Sequence, residues 1–266
     1  MKSLFSAALL AACCLLGTTF GQSASPEVDP ARLRSQLDAS VGWNEFKVSG
    51  NATPVKPLSV YRWTNNERDP HGQGLAVIWE QGGVPVAVAS IFPWNGKIMH
   101  EMESVSRRPF AVHREGMAVW TPAEGMTFRT VPDAAEPADQ PVLRLRQMKE
   151  LADRFVVTML GWKPDSSDRE ELRRLPKELF RYKPSPSGPI DGAIFSFVKG
   201  TDPETLLVLE AVAGKEKAEW QYLLVPQTSG GLSARIGQEV VWNVAAHRAR
   251  RDPQATFVSL AGPLKE

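Results

Sequence analysis

The local patterns of this chain run through the same order twice, and that recurrence limits the folds open to it. Near residue 29 the sequence reads DPARLRSQLDASVGW, and near 139 it reads DQPVLRLRQMKELADRFVVTMLGW. Each has an Asp closely followed by Pro, then Arg-Leu-Arg, an apolar helical pattern and Gly-Trp. Asp29 with Pro30, and Asp139 with Pro141, read as N-cap and first-turn residues. Leu33, Leu37 and Val41 recur at helical spacing, and so do Leu145, Met148, Ala152, Phe155 and Met159. Gly42 and Gly161 read as helix C-termini. The parallel continues with PLSVYRW (57–63) and PKELFRY (176–182), then GLAVIW from Gly74 and GAIFSF from Gly192. VPVAVASIF answers to TLLVLEAVA, and KIMHEMESVS to EWQYLLVPQT. FAVHREGMAVW ends at Trp120 as LSARIGQEVVW ends at Trp242, and Thr127-Phe128 returns as Thr256-Phe257.

The apolar or alternating runs of five to nine residues, cut by Gly, Asn and Pro, predict antiparallel strands. The expected fold is therefore α+β, dominated by β. It consists of two tandem helix-plus-meander repeats, 29–131 and 142–262, with PDAAEPADQP (132–141) as linker. A helix would cover one face of each meander and leave the other wet. The repeats form separate lobes, or they join edge to edge as one curved sheet; the pattern leaves both open.

The first residues address the chain to a compartment. Lys2, an apolar run from Leu4 to Leu16 and small residues after it predict a signal peptide over 1–21. The run is too short to span a bilayer, which takes roughly 20 apolar residues. Two processing readings compete. Cleavage before Gln22 would discard both cysteines, Cys13 and Cys14, whereas LAAC at 10–13 resembles a lipobox that would leave Cys13 lipidated. The predicted location is secreted or periplasmic, or else anchored to the envelope through Cys13. A mature chain of roughly 245 residues is long enough to be held by a hydrophobic core without disulfides.

Charge excludes some partners. The chain has 31 basic and 30 acidic residues, and losing Lys2 with the leader leaves them balanced. That argues against nucleic acid and against electrostatic docking on anionic lipid. The basic cluster HRARR (247–251) reads as a solvated loop or a small anionic-partner patch. LADRF, REELRRLPKELFRY, DGAIFSFVKGTDPETLLVLEA and WQYLLV make the second repeat resemble an uncharacterised family of planctomycete secreted proteins. That resemblance implies an envelope address and supplies no chemistry.

No phosphate loop, nucleophile elbow or zinc helix is present. What remains is the difference between the repeats. His71, His100 and His113 all lie in the first, and they are the candidate acid–base or metal-ligating histidines. On a strand His100 shares a face with Ile98 and Met102, while Glu101 and Glu103 share the opposite one. The counterparts of these two carboxylates, Leu223 and Val225, are apolar. The same face thus reads as wet in one repeat and dry in the other, and Glu101 with Glu103 becomes a candidate carboxylate pair. Asn95-Gly96 predicts a hairpin turn, and Trp94 before it is a candidate contact for a sugar or protein, unless it folds back on the sheet. Trp120 and Trp242 are expected to be equivalent core residues. No cofactor and no metal site is specified. The favoured reading is a non-catalytic binding or interaction module for an envelope protein, glycan or lipid. The alternatives are a hydrolase or lyase with a His/Glu site in the first repeat, and a structural envelope protein.

Overall fold

The computed structural model describes residues 29–50, 53–65, 72–122, 126–163, 167–182, 188–246 and 252–265. The predicted leader with Cys13 and Cys14, His71 and the basic cluster at 247–251 lie outside the described residues. The first half runs α1 (Pro30–Ser40), a 3-10 turn (Val41–Trp43), β1 (Glu45–Val48), β2 (Lys56–Thr64), β3 (Gln73–Gln81), β4 (Val84–Trp94), β5 (Lys97–Ser104), β6 (Phe110–Arg114), β7 (Met117–Trp120) and β8 (Arg129–Thr130). The second half opens with α2 (Pro141–Ala152), β9 (Phe155–Met159) and three short strands, β10 (Glu170–Glu171), β11 (Arg173–Arg174) and β12 (Phe180–Arg181). It continues with β13 (Asp191–Lys199), β14 (Asp202–Ala213), β15 (Ala218–Pro226), β16 (Leu232–Ile236), β17 (Glu239–Val244) and β18 (Phe257–Pro263). The fold is α+β and β-dominated, with every ladder antiparallel.

Both halves pair their strands in the same order. The small sheets run β1-β6-β7 and β9-β16-β17, the latter with β10 added on its edge. The large sheets run β2-β3-β4-β5 and β13-β14-β15, with β11 and β12 edging β13. Each large sheet is completed by the other half. β18 adds to β5, from Phe257 opposite Glu103 to Pro263 opposite Lys97, and β8 adds to β15. The sheets do not join edge to edge into one curved sheet. The two large ones instead pack face to face.

This stacking makes three apolar layers. Leu33 and Leu37 of α1, with Phe110, Val112 and Trp120 of the small sheet, cover the outer face of the first large sheet. Met148 and Ala152 of α2, with Val157 and Leu232, do the same for the second. Between the large sheets, Ile78 and Val88 meet Ile194, Leu206, Val208, Leu223 and Val225. Neither large sheet has the wet face that an antiparallel meander usually keeps. That is why β13 and β14 are buried almost without interruption. Fully burying a tryptophan such as Trp79, Trp120 or Trp220 removes about 150–250 Å² from water, roughly 4–6 kcal/mol of gross transfer energy.

Several local expectations need correction. Asp29 caps α1 through Ala31 N (2.9 Å), and Pro30 and Pro141 begin their helices. The second N-cap is Gln140 rather than Asp139. The stripe through Phe155 and Met159 is not helical. α2 stops at Ala152, and Val156, Val157 and Thr158 carry β9 with alternating burial, since β-branched side chains favour strands. Gly161 therefore follows a strand and answers to Gly50, both at positive φ, while Gly42 lies inside the 3-10 turn. The Arg-Leu-Arg match is one residue out of register. The buried helix positions are Leu33, Leu37 and Ser40 in α1 and Arg144, Met148, Leu151 and Ala152 in α2. Arg144 thus stands where Leu33 stands, and it is neutralised by Asp191 at 3.0 Å.

Two glycines are required by close approach. A Cβ on Gly74 would lie 2.1 Å from the Trp63 ring, and one on Gly192 would lie 2.8 Å from the Tyr182 ring. In both halves an aromatic side chain lies flat over a glycine of the neighbouring strand.

Candidate functional site

His100 lies under α1 and is fully buried. Its Nε2 is 3.0 Å from Ser40 Oγ and its Nδ1 is 3.0 Å from Asn44 Nδ2. The partners fix the tautomer. The Ser40 hydroxyl donates to the Leu37 carbonyl (2.7 Å), so its oxygen accepts from Nε2–H. Asn44 Nδ2 only donates, so Nδ1 accepts. Asn44 Oδ1 in turn accepts from Arg114 Nε (2.8 Å). Donation runs in one direction from Arg114 to the end of α1. Trp43 stacks on the imidazole with centroids 5.4 Å apart. Burial, and then the charge on Arg114, hold His100 well below the ordinary histidine range, and burial brings Arg114 down to about 10. A sealed neutral imidazole with both nitrogens spent cannot exchange a proton with a substrate. It ties α1, β5 and β6 together.

The other predicted residues do not join it. Glu101 and Glu103 do face away from His100, but they are buried between the large sheets, so the face expected to be wet is dry in both halves. His113 on β6 lies opposite Glu45 and Ala118, on the small sheet. No hydrogen bond links it to His100, Glu101 or Glu103 among the described residues. Among the described residues no group of three or more His, Cys, Asp or Glu is placed to hold a metal ion, and no helix is long and apolar enough to cross a membrane. Trp94 stands at the end of β4 beside the Asn95-Gly96 turn and is 44% exposed. Trp120 is fully buried, but Trp242 is only partly so, which corrects their expected equivalence.

A different site stands at the seam between the halves. After β5 the chain turns at Ser106, whose hydroxyl accepts from Arg108 N (3.0 Å) and donates to Arg108 O (2.8 Å). This places Arg107 and Arg108 together along a cleft of about 480 Å³. Gln81, Val84 and Val105 line it from the first half, and Pro189 and Glu210 from the second. Arg107 Nη2 donates to the buried Glu210 carboxylate at 2.6 Å and to Gln221 Oε1 at 3.0 Å. Its guanidinium lies 3.7 Å over the Phe128 ring. Behind Glu210, the Tyr182 hydroxyl donates to the same carboxylate. Burial, followed by the charge and hydrogen bond of Glu210, raises that phenol well above its ordinary value. Arg108 Nη2 donates to Gln81 Oε1 at 2.8 Å, and Gln81 Nε2 donates to the Thr53 carbonyl at 2.7 Å.

These side chains can hold and orient a polar ligand. Among the described lining residues, the Ser106 hydroxyl is engaged with the Arg108 backbone. Sequence reading passed over this site. The available signal was Ser-Arg-Arg-Pro at 106–109, two adjacent cations at a turn. The partners of Arg107, Glu210 and Gln221, come from the other half, 103 and 114 residues away. Comparison with protein-family models, with curated proteins and with solved structures finds no match to this chain.

Proposed function

We propose that this chain is an internally duplicated, exported and non-catalytic binding module, with its ligand site in the seam cleft. The observation that carries the reading is the cleft itself. It gathers side chains from both halves, Arg107, Arg108 and Gln81 facing Glu210, each already fixed by other protein groups. Held side chains lose little freedom when a ligand arrives, which favours binding. The matching strand order of the halves supports duplication. The leader-like first residues and the planctomycete resemblance support export to the envelope. The hydrolase or lyase reading loses its main support, because His100 is spent in a closed hydrogen-bond chain and faces away from Glu101 and Glu103.

The test is a paired screen of the purified protein. Thermal shift against a small-molecule library is expected to find ligands whose effect is lost in Arg107→Ala. Chromogenic ester, phosphoester and glycoside substrates are expected to turn over no faster than in buffer. Turnover that disappears in Glu103→Gln or His113→Ala would overturn the proposal.

A further inference from the structure

We infer that the seam cleft takes an oxyanion, a phosphate or carboxylate group carried by a small ligand, between Arg107 and Arg108. The inference rests on the reading of this cleft as the binding site. Its volume of about 480 Å³ falls within the roughly 300–1,000 Å³ of small-molecule sites.

Charge is the first argument. Two consecutive arginines line one cleft, and among its described lining residues a single carboxylate, Glu210, offsets them. The cleft is therefore left cationic in a chain whose net charge is only +1. Both guanidinium groups line the same cleft and stay charged, so an anion entering it is attracted by each.

The second argument is the way each arginine is held. Arg107 is anchored through Nη2 and by its face on Phe128, and Arg108 is anchored through Nη2 alone. Nε and Nη1 of both side chains keep their N–H groups without a protein acceptor among the described residues. Planar, always-charged donors already fixed in place suit phosphate and carboxylate oxygens. Glu210 is itself held by Tyr182, so it acts as a brace for Arg107 and does not compete as a ligand group from solvent.

The test is titration of the full protein with inorganic phosphate, glucose 6-phosphate, succinate and glucose at constant ionic strength. Binding is followed by calorimetry and by the arginine Nε–H signals in NMR. Saturable binding of at least one anionic probe is expected, with movement of the Arg107 and Arg108 signals and weakening as sodium chloride rises. Which anion binds separates a free phosphate, a phosphate ester and a carboxylate as the source. Arg108→Gln is expected to lower affinity at least about tenfold. Arg108→Lys should fall between it and the parent, and Arg146→Gln, on the exposed face of α2, should change nothing. Equal affinity in Arg108→Gln and the parent overturns the inference. Binding of glucose as tightly as glucose 6-phosphate, with the same arginine signals moving, overturns the anionic class but leaves the cleft a binding site. No movement of either arginine signal with any probe overturns both.

Discussion

Burying His100 in the neutral form gives this protein a pH dependence whose sign and size follow from its surroundings. Folded, the imidazole is sealed beneath α1, and burial followed by Arg114 holds its pKa well below 6.5. Unfolded, it titrates near the ordinary value of about 6.5. The unfolded chain therefore binds a proton that the folded chain refuses. The stability at stake is fully present above pH 6.5 and is lost as the pH falls below it, until the folded imidazole itself titrates. The loss approaches about 1.4 kcal/mol per pH unit, so going from pH 7.5 to 5.5 removes about 1.4 kcal/mol from this one group. The assay is urea unfolding at pH 7.5, 6.5 and 5.5 of the parent and of His100→Gln, which cannot titrate. Taking the difference between the two proteins cancels the contributions of the rest of the chain. The parent's advantage is expected to shrink by about 1.4 kcal/mol across the window. Asn44→Asp would place an acceptor for both Arg114 Nε–H and a protonated Nδ1, so the loss at low pH should vanish or reverse. A difference between parent and His100→Gln that stays flat from pH 7.5 to 5.5 would refute the reasoning, because the imidazole would then be protonating freely in the folded state.

The remaining predictions concern packing. Gly74→Ala drives a methyl into the Trp63 ring and should cost about 3–5 kcal/mol, as losing a packed aromatic does. Gly192→Ala, with more room beside Tyr182, should cost about 1–3 kcal/mol; chemical denaturation that ranks them the other way contradicts the stacking described. Trp120→Ala should cost about 3–5 kcal/mol, and Trp242→Ala clearly less because its ring is only partly buried; equal losses in melting temperature would show that the two hairpin tryptophans are equivalent after all. Trp94→Ala should leave stability within about 0.5 kcal/mol, and a large drop in melting temperature would make that ring part of the core.

Much of the scaffold was legible because its signals are local. Asp29 with Pro30 announces α1, and Asn95-Gly96 announces the β4–β5 turn at positive φ. Trp120 and Trp242 close hairpins in matching register, opposite Val112 and Ala234. The reading failed where one spacing serves two structures. Phe155 and Met159 sit four residues apart, which suits one helix face and equally one strand face, and the β-branched residues between them decide for the strand. It failed again on depth. Alternation gave the directions of His100, Glu101 and Glu103, but it could not say that a second sheet lies over the carboxylates. The largely apolar runs VPVAVASIF and TLLVLEAVA, broken only by Ser90, Thr205 and Glu210, were the sign that both faces are covered. The cleft was out of reach for a plainer reason. Arg107 acquires its meaning from Glu210, Gln221 and Phe128, and only the packing of one half on the other brings Glu210 and Gln221 to it.

The exchange of end strands bears on how such a cleft would work. If the halves were separate lobes on a linker, a ligand at their seam would close them like a hinge, and part of its binding energy would go into that motion. Here β18 leaves the second half and lies along β5 of the first, while β8 leaves the first half and lies along β15 of the second. The crossing segments are fastened beyond the ladders. Trp120 Nε1 donates to the Ala255 carbonyl at 2.8 Å, Gln36 and Lys265 bond reciprocally at 2.7 and 2.8 Å, and Val131 N donates to the Trp220 carbonyl at 2.8 Å. Opening the seam would have to break these bonds and unzip β18 while exposing the apolar layer between the large sheets. Each backbone bond broken costs on the order of 1 kcal/mol, and the apolar layer adds more, so opening the seam is costly. A ligand then meets Arg107 and Arg108 already in position and spends little on rearrangement. A preformed site of that kind fits the binding role proposed for the cleft.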